Sequence, residues 1–368
     1  MERGVIKVMD ENEFVLEDRI AKTRAINEQH DLEHNSYYSF SGGYDSCVGS
    51  MLLDVALPNN RIPRVYFNTG IEYIKMVNFV KKLAAKDDRF IIVNSGVNIK
   101  KMLKENGYPF KSKQHSHNWA IYNNNNNKEL NEIIKYLTNN PEKRFDYNYI
   151  HNLPKGIKTI VKYVFGIREK DTHDSVVERE RESIITSAMS IMTSPECLRY
   201  QFTQEYKDNG VKLSDKCCYK LKKEVAHKYE EESGRYIAIT GIRAEEGGMR
   251  ALNGCTIFDG DKLKKFHPLK VVSKEWEEWF VKKYNIELCE LYYPPYNFKR
   301  TGCNSCPFSL DIQEQLDQLY KLLPIEYKKA KQLWKPVFDE YIRIGYRLKY
   351  YPDEVGVQLS IFDIEKED

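Results

Sequence analysis

A doubly wound, mainly parallel α/β sheet, carrying a helical insertion and a helical C-terminal region, is the fold this sequence predicts. Three observations point to it. Between Tyr37 and Glu105, short runs rich in β-branched and aromatic residues alternate with longer runs at helical spacing. A glycine pair, Gly42-Gly43, stands where the first such run gives way to the first helix. The same alternation returns near Tyr219 after a long interruption.

The elements follow in order. Tyr37-Tyr38-Ser39-Phe40 reads as a strand, Asp45 to Val55 as a helix, Arg64 to Asn68 as a second strand and Glu72 to Lys86 as a second helix. Phe90 to Asn94 makes a third strand, and Asn98 to Glu105 a short helix that ends at Gly107-Tyr108-Pro109. From about Ser116 the rhythm breaks. An asparagine run, Asn123 to Asn127, reads as a low-complexity loop, and the weakly periodic stretches Glu129 to Leu137 and Glu178 to Met192 read as helices of an insertion. A helix at Tyr219 to Glu232 and a strand at Tyr236 to Thr240 restore the α/β order, and the chain is mainly helical from Lys274 onward. The expected organisation is therefore a helical lead-in (1–36), a first core part (37–115), a helical insertion (116–213), a second core part (214–310), and a helical extension with a polar tail (311–368).

Composition excludes several classes. With 368 residues, 41% hydrophobic and 30% charged, and a mean hydropathy of −0.63, the chain can bury a sizeable core and is not expected to be disordered. Apolar runs such as Val48 to Leu57 fall well short of the roughly 20 residues that a bilayer requires. Met1 to Glu11 mixes charges without an apolar stretch, so a secretory signal is not expected, and a cytoplasmic location is. A net charge of +3, from 57 basic and 54 acidic residues, neither demands nor excludes a nucleic-acid partner. Eight cysteines in such a chain suggest ligands, nucleophiles or buried apolar residues rather than disulfides.

Ser41-Gly42-Gly43-Tyr44-Asp45-Ser46 lies between an apolar strand and an amphipathic helix. Paired glycines allow positive φ and close approach of the backbone to a ligand, while the helix start offers unpaired N–H groups and a positive dipole end. Phosphate suits such a place. The alternative is a tight turn in which Asp45 or Ser41 merely caps the helix. No Gly-x-x-x-x-Gly-Lys-Ser/Thr sequence occurs, so this is not a Walker A loop.

The loop resembles the S-G-G-x-D-S pyrophosphate loop of enzymes that split ATP between its α and β phosphates. That resemblance implies that Ser41, Gly42, Gly43 and Ser46 cradle phosphate and that Asp45 stands by the phosphates or their magnesium. It also places the adenosine half at Asn68-Thr69-Gly70, although Asn68 replaces the acidic residue usual there.

Cys217-Cys218 and Cys303-x-x-Cys306 supply four thiols. Cys-x-x-Cys alone serves zinc, iron–sulfur or redox chemistry. Adjacent cysteines suit one tetrahedral ion poorly and can address different irons of a [4Fe–4S] cluster, with zinc as the alternative. Together these residues resemble the iron–sulfur members of the phosphoadenosine phosphosulfate (PAPS) reductase family, within the adenine nucleotide alpha-hydrolase-like superfamily. Lys222, four residues after Cys218, corresponds to the lysine which that family keeps near its cluster, and Thr240-Gly241-Ile242-Arg243 followed by Arg250 resembles its Gly-x-Arg segment. Arginine suits bidentate contact with phosphate or sulfate. His267-Pro268-Leu269, Lys299 to Cys303 and Lys111-Ser112-Lys113 extend the likeness, the last implying nucleotide contacts from Lys111 and Lys113 within a basic stretch that also holds Lys100, Lys101 and Lys104. The likeness covers about 37–115 and 214–310.

Two departures matter. The mobile cysteine that reductases carry in a Glu-Cys-Gly type tail has no counterpart after Cys306, and the loop retains the full form suited to ATP. Cys47 lies just inside the loop helix, where a dipole-lowered pKa competes with simple burial. An intact loop joined to a cluster resembles the ATP pyrophosphatase component of DNA phosphorothioation systems. The resemblance implies an enzyme that uses ATP with magnesium to adenylylate an acceptor for sulfur transfer, with Asp45, Lys222 and Arg243 as catalytic residues, Lys222 near the cluster. It names adenine nucleotide, nucleic acid and a sulfur-donor protein such as a cysteine desulfurase as partners, and leaves a homo-oligomer open. Two other readings stand beside it: a sulfonucleotide (PAPS or APS) reductase that releases sulfite, and a non-catalytic nucleotide-binding module with a structural zinc.

Overall fold

The computed structural model describes residues 10–124, 128–167, 200–246, 252 and 254–355. The chain forms two compact units, the first comprising Met1–Val97 and Lys220–Asn304 and the second Asn98–Tyr219 and Ser305–Asp368.

In the first unit, helix α1 (Glu11–His30) precedes strand β1 (Ser36–Phe40), α2 (Tyr44–Ala56), β2 (Arg64–Asn68), α3 (Ile74–Lys86) and β3 (Phe90–Asn94). The unit resumes with α4 (Glu224–Ser233), β4 (Ile237–Ile239), the hairpin β5 (Thr256–Asp259) and β6 (Lys262–Phe266), and α5 (Lys274–Tyr284). The sheet runs β3-β2-β1-β4-β6-β5, parallel except for the β5–β6 pair. It is thus the doubly wound, mainly parallel sheet that the sequence predicts. The chain leaves β1 toward β2 and β3 on one side and returns with β4 on the other. The carboxyl ends of β1 and β4 therefore diverge around a topological switch point, where α/β sheets bind ligands.

Alternation along β1 sends neighbouring side chains to opposite faces. Tyr37 packs with Val65 and Ala238 and against Phe67, Val93 and Tyr229, the last from α4. Tyr38 points the other way, its hydroxyl reaching toward Gly49 of α2, which also packs against α1 and α5. At the start of β2 lies a fully buried Arg64. Its Nη2 donates to Asp54 Oδ1 at 2.7 Å and its Nη1 to Asn60 Oδ1 at 2.8 Å, while Arg89 Nη1 reaches the same Asp54 oxygen at 2.6 Å. Burial lowers the Arg64 pKa to about 10, and the charge of Asp54 opposes that shift.

The second unit is helical. Trp119, Tyr122, Leu130, Ile134, Ile160 and Phe202 are buried, and Trp119 Nε1 donates to Gln201 O at 2.8 Å. Ile312–Leu322 and Pro324–Arg343 pack as a helical pair.

Several expectations need adjusting. The helix expected over Tyr219 to Glu232 opens as a π-helical turn, Tyr219–Lys223, before α4. The β5–β6 hairpin was not anticipated, because Lys262, Lys264 and Lys265 give β6 a polar sequence, although it pairs on both sides, with β4 and β5. Asn123 and Asn124, expected in a loop, close the helix Lys113–Asn124, which the buried Trp119 and Tyr122 anchor. The expected helix Glu178 to Met192 lies outside the described residues.

Replacing Asp54 by Asn strands the buried Arg64 charge. The cost expected in urea unfolding is about 2–3 kcal/mol, at or below the low end for a broken buried pair because Asp54 is partly exposed. A loss below about 0.5 kcal/mol, the scale of a surface pair, would show that the network does not hold β2 in place.

Candidate functional site

A cleft of about 800 Å³ opens in the first unit at the switch point. Ser41, Gly43, Asp45 and Ser46 line it from the loop after β1, and Thr240, Gly241 and Arg243 from the loop after β4. Lys222 and Lys223 enter from the π-helical turn, Lys274 from α5, and Lys299 and Arg300 from the segment before Cys303. Cations thus rim a site whose floor is backbone.

The loop takes its shape from sterics. Gly42 has φ 73°, and a Cβ there would stand 2.3 Å from Met76 Sδ, so only glycine fits. Gly43 is the N-cap of α2 and makes no side-chain cap hydrogen bond. The loop amides instead rest on hydroxyls: Ser41 N on Ser46 Oγ (3.3 Å), Gly43 N on Ser41 Oγ (3.3 Å) and Tyr44 N on Tyr292 Oη (2.9 Å). Tyr292 Oη is in turn 2.5 Å from Thr301 Oγ1. Cys47 is buried, its Sγ 3.6 Å from Gly42 O, and burial pushes its thiol far up, so the lowered pKa considered for it does not occur.

The loop after β4 presses on this one. A Cβ on Gly241 would meet Asp45 O at 2.7 Å and Tyr38 Oη at 2.9 Å. Arg243, two residues on, is buried with Nη1 2.7 Å from Glu245 Oε2, and with Nε 3.1 Å from Glu277 Oε2 and 3.7 Å from Asp45 Oδ1. Lys274 Nζ stands 3.5 Å from the same Glu277 oxygen and 3.2 Å from the centre of the Tyr44 ring. Burial and the neighbouring Asp45 carboxylate push the Glu277 carboxyl up to about 8, with Arg243 and Lys274 opposing. Glu277 and Tyr292 escaped the sequence reading. A usable signal for Glu277 was its place on the stripe shared with Phe280 and Tyr284 of α5, where an acid has no solvent to face.

At the end of β2, Glu72 organises the chain. It accepts from Thr69 N (3.1 Å), Thr69 Oγ1 (2.7 Å) and Gly70 N (3.0 Å), while Asn68 Nδ2 donates to Asn94 Oδ1 (2.8 Å). Tyr66, Phe67 and Glu72 line the cleft here. Glu72 also bridges to Cys303, and Asn304 N donates to Ile71 O at 2.8 Å.

The structure thus brings Asp45, Lys222, Arg243, Ser41, Gly43, Ser46 and Gly241 to one cleft. Lys111 and Lys113 belong to the second unit. Arg250 lies outside the described residues. Cys217 and Cys218 end a short helix, Lys216–Cys218, in the second unit, which also holds Cys306; Cys303 lies near the end of the first. Ser305, between the last two cysteines, has φ 48° and turns that segment sharply. Among the described residues, no group of three or more His, Cys, Asp or Glu is gathered as a metal site. The fit to a cluster therefore rests on donor chemistry: four thiols, two of them adjacent on a helix and so splayed by about 100°.

His267 closes the far end of the cleft, buried, with Nδ1 2.7 Å from Thr240 Oγ1. Burial, with help from Lys265 and Lys270, lowers its pKa from 6.5 to about 4. Its neutral form is the stabilising one, fully so above pH 6.5, and that contribution disappears as pH falls from 6.5 through 4. The His267→Asn variant is expected to lose melting temperature less steeply than the wild type across that window. Parallel slopes would mean that His267 titrates normally.

Comparison with known proteins places this geometry. Residues 157–309 match the family model "Phosphoadenosine phosphosulfate reductase domain". The curated "Uncharacterized protein MJ0973" of Methanocaldococcus jannaschii is 36% identical over 73 residues, which is 20% of this chain and 17% of that protein. The match thus spans less than a fifth of that relative's length. The crystal structure of phosphoadenylyl-sulfate (PAPS) reductase from Candida auris, a phosphate complex, aligns over 82% of this chain and 98% of that one, with a TM-score of 0.38 and 11% identity. The likeness to a phosphoadenosine phosphosulfate reductase domain is thus carried by residues 157–309.

Proposed function

We propose that the protein is an ATP pyrophosphatase that adenylylates an acceptor oxygen, releases pyrophosphate and so prepares the acceptor for sulfur transfer, as in thiolation or phosphorothioation of a nucleic acid. The observation that carries this reading is the complete Ser41–Ser46 loop, glycine-shaped and without a side-chain cap, facing Arg243 and Lys222 across one cleft. Such a loop has donors for a β,γ-pyrophosphate, which a sulfonucleotide lacks.

In this reading the amides of the loop and of the first turn of α2 hold the pyrophosphate end of ATP. Asp45 would hold magnesium, which would shield the charge on the phosphates when bound. An acceptor oxygen attacks the α-phosphorus in line, the bond from that phosphorus to the bridging oxygen breaks, and pyrophosphate departs with the electron pair. Arg243 steadies the charge that grows on the α-phosphoryl oxygens, with Glu277 and Glu245 fixing the guanidinium. A sulfur nucleophile then displaces AMP. Cys217, Cys218, Cys303 and Cys306 would hold a [4Fe–4S] cluster, which supplies sulfur or electron chemistry when bound.

The direct test is pyrophosphate release from ATP, assayed beside sulfite release from a sulfonucleotide. Pyrophosphate without sulfite supports the proposal, and sulfite without pyrophosphate turns it to the reductase. Arg243→Lys keeps the charge and loses the fork, so pyrophosphate release should fall about 100-fold with folding retained. A change under threefold would remove Arg243 from the reacting phosphates.

A second expectation separates the two centres. Cys303→Ala, purified without oxygen, should lose most of its iron and acid-labile sulfide while binding ATP within about threefold of the wild type, since the loop residues are elsewhere. Retention of about four irons would take Cys303 out of the ligand set.

A further inference from the structure

We propose that Lys111 and Arg347, both in the second unit, form a binding site for a tetrahedral oxyanion of the sulfate or phosphate class. This inference does not rest on the ATP reading. Its first support is backbone conformation. The non-glycine residues with positive φ are Asp31, Asn59, Lys111, Asn285, Asn297, Ser305 and Arg347 among the described residues. Short polar side chains account for the other five, as αL backbone favours them. Lys111 (φ 56°) and Arg347 (φ 59°) alone are long cations, each held where its own preference would not put it.

Hydrogen bonds hold the two together. Lys111 N donates to Tyr341 Oη at 2.7 Å, and that hydroxyl donates to Pro307 O at 2.6 Å. Arg347 Nη1 donates back to Lys111 O at 2.7 Å and reaches Phe308 O at 3.4 Å and Ser309 O at 3.3 Å. One guanidinium therefore clamps the Lys111 turn to the segment that follows Cys306.

Charge supplies the second support. Carbonyls accept from Arg347 and a ring lies near each cation, and among the described residues neither has a carboxylate at ion-pair distance. Lys111 Nζ lies 5.9 Å from the centre of the Tyr163 ring, and Arg347 Cζ 4.8 Å from that of Tyr346. The half-buried amine of Lys111 is held down at about 8 by desolvation and by Arg347. Two like charges brought near each other repel unless an anion joins them. The neighbouring imidazole offers no negative charge: His115 is buried between Tyr163 Oη (2.9 Å) and Gln201 Oε1 (2.7 Å) and is neutral, with a pKa of about 3. A guanidinium bonded to the Lys111 carbonyl, together with the ammonium of that same lysine, offers the fork and the point charge with which proteins bind sulfate and phosphate.

Competitive acetylation of the full chain, read peptide by peptide by mass spectrometry, tests the site. Inorganic sulfate or phosphate at about ten times its dissociation constant should slow acetylation of Lys111 about tenfold, while the exposed Lys113 reacts unchanged. Protection by ATP at concentrations where the inorganic ions give none assigns the oxyanion to a nucleotide phosphate. Equal labelling of Lys111 with and without sulfate, phosphate or ATP overturns the proposal. Arg347→Gln should abolish the protection with the circular dichroism spectrum unchanged, and full protection in that folded variant would also overturn it. Should Arg347→Gln not fold, titration calorimetry of Lys111→Met with whichever of the three ions protects the wild type decides: its binding heat should vanish, and unaltered binding refutes the site.

Discussion

The close approach of two backbones at the switch point constrains the rest of the first unit. Gly241 can lie against the Asp45 carbonyl only because it has no Cβ, and Tyr38 Oη fills the same corner from beneath. This contact joins the loop after β1 to the loop after β4, elements separated by well over a hundred residues of sequence. Arg243 follows two residues later, and its guanidinium lies between Asp45, Glu245 and Glu277. The loop after β1, the arginine and α5 are thereby fixed as one assembly.

That assembly explains a buried acid. Glu277 is fully enclosed, and an enclosed carboxylate is costly unless cations share the space. Arg243 and Lys274 share it, yet Asp45 is close enough to favour the protonated form. The acid therefore orients the guanidinium without cancelling its charge, and the cation remains directed at whatever the loop binds.

Much of this was legible in the sequence, and the limits have physical causes. The parallel strands and the loop announced themselves through apolar runs and paired glycines, because period and backbone freedom are local properties. Glu277 resembles any solvated helix acid until its partners on another element are known. The β5–β6 hairpin was hidden by the lysines of β6, which make an interior strand look polar. Thr69 and Gly70 were read as contacts for the nucleoside, yet their amides donate to Glu72, a residue read as the start of the second helix. Arg347 carried no motif, and only the fold brings it to Lys111.

The hydroxyls that hold the loop amides have one further consequence. Ser46, Ser41 and Tyr292 already accept from the amides of Ser41, Gly43 and Tyr44, so these donors are never without a partner. A neutral guest would exchange one ordinary hydrogen bond for another and gain nothing. A phosphate forms charge-assisted bonds roughly twice as strong as the neutral ones it displaces. A loop that holds phosphate as proposed would discriminate by ionisation rather than by fit: adenosine should be ignored where its phosphorylated forms are held, and this filter would be set by three hydroxyl groups that contribute no charge of their own.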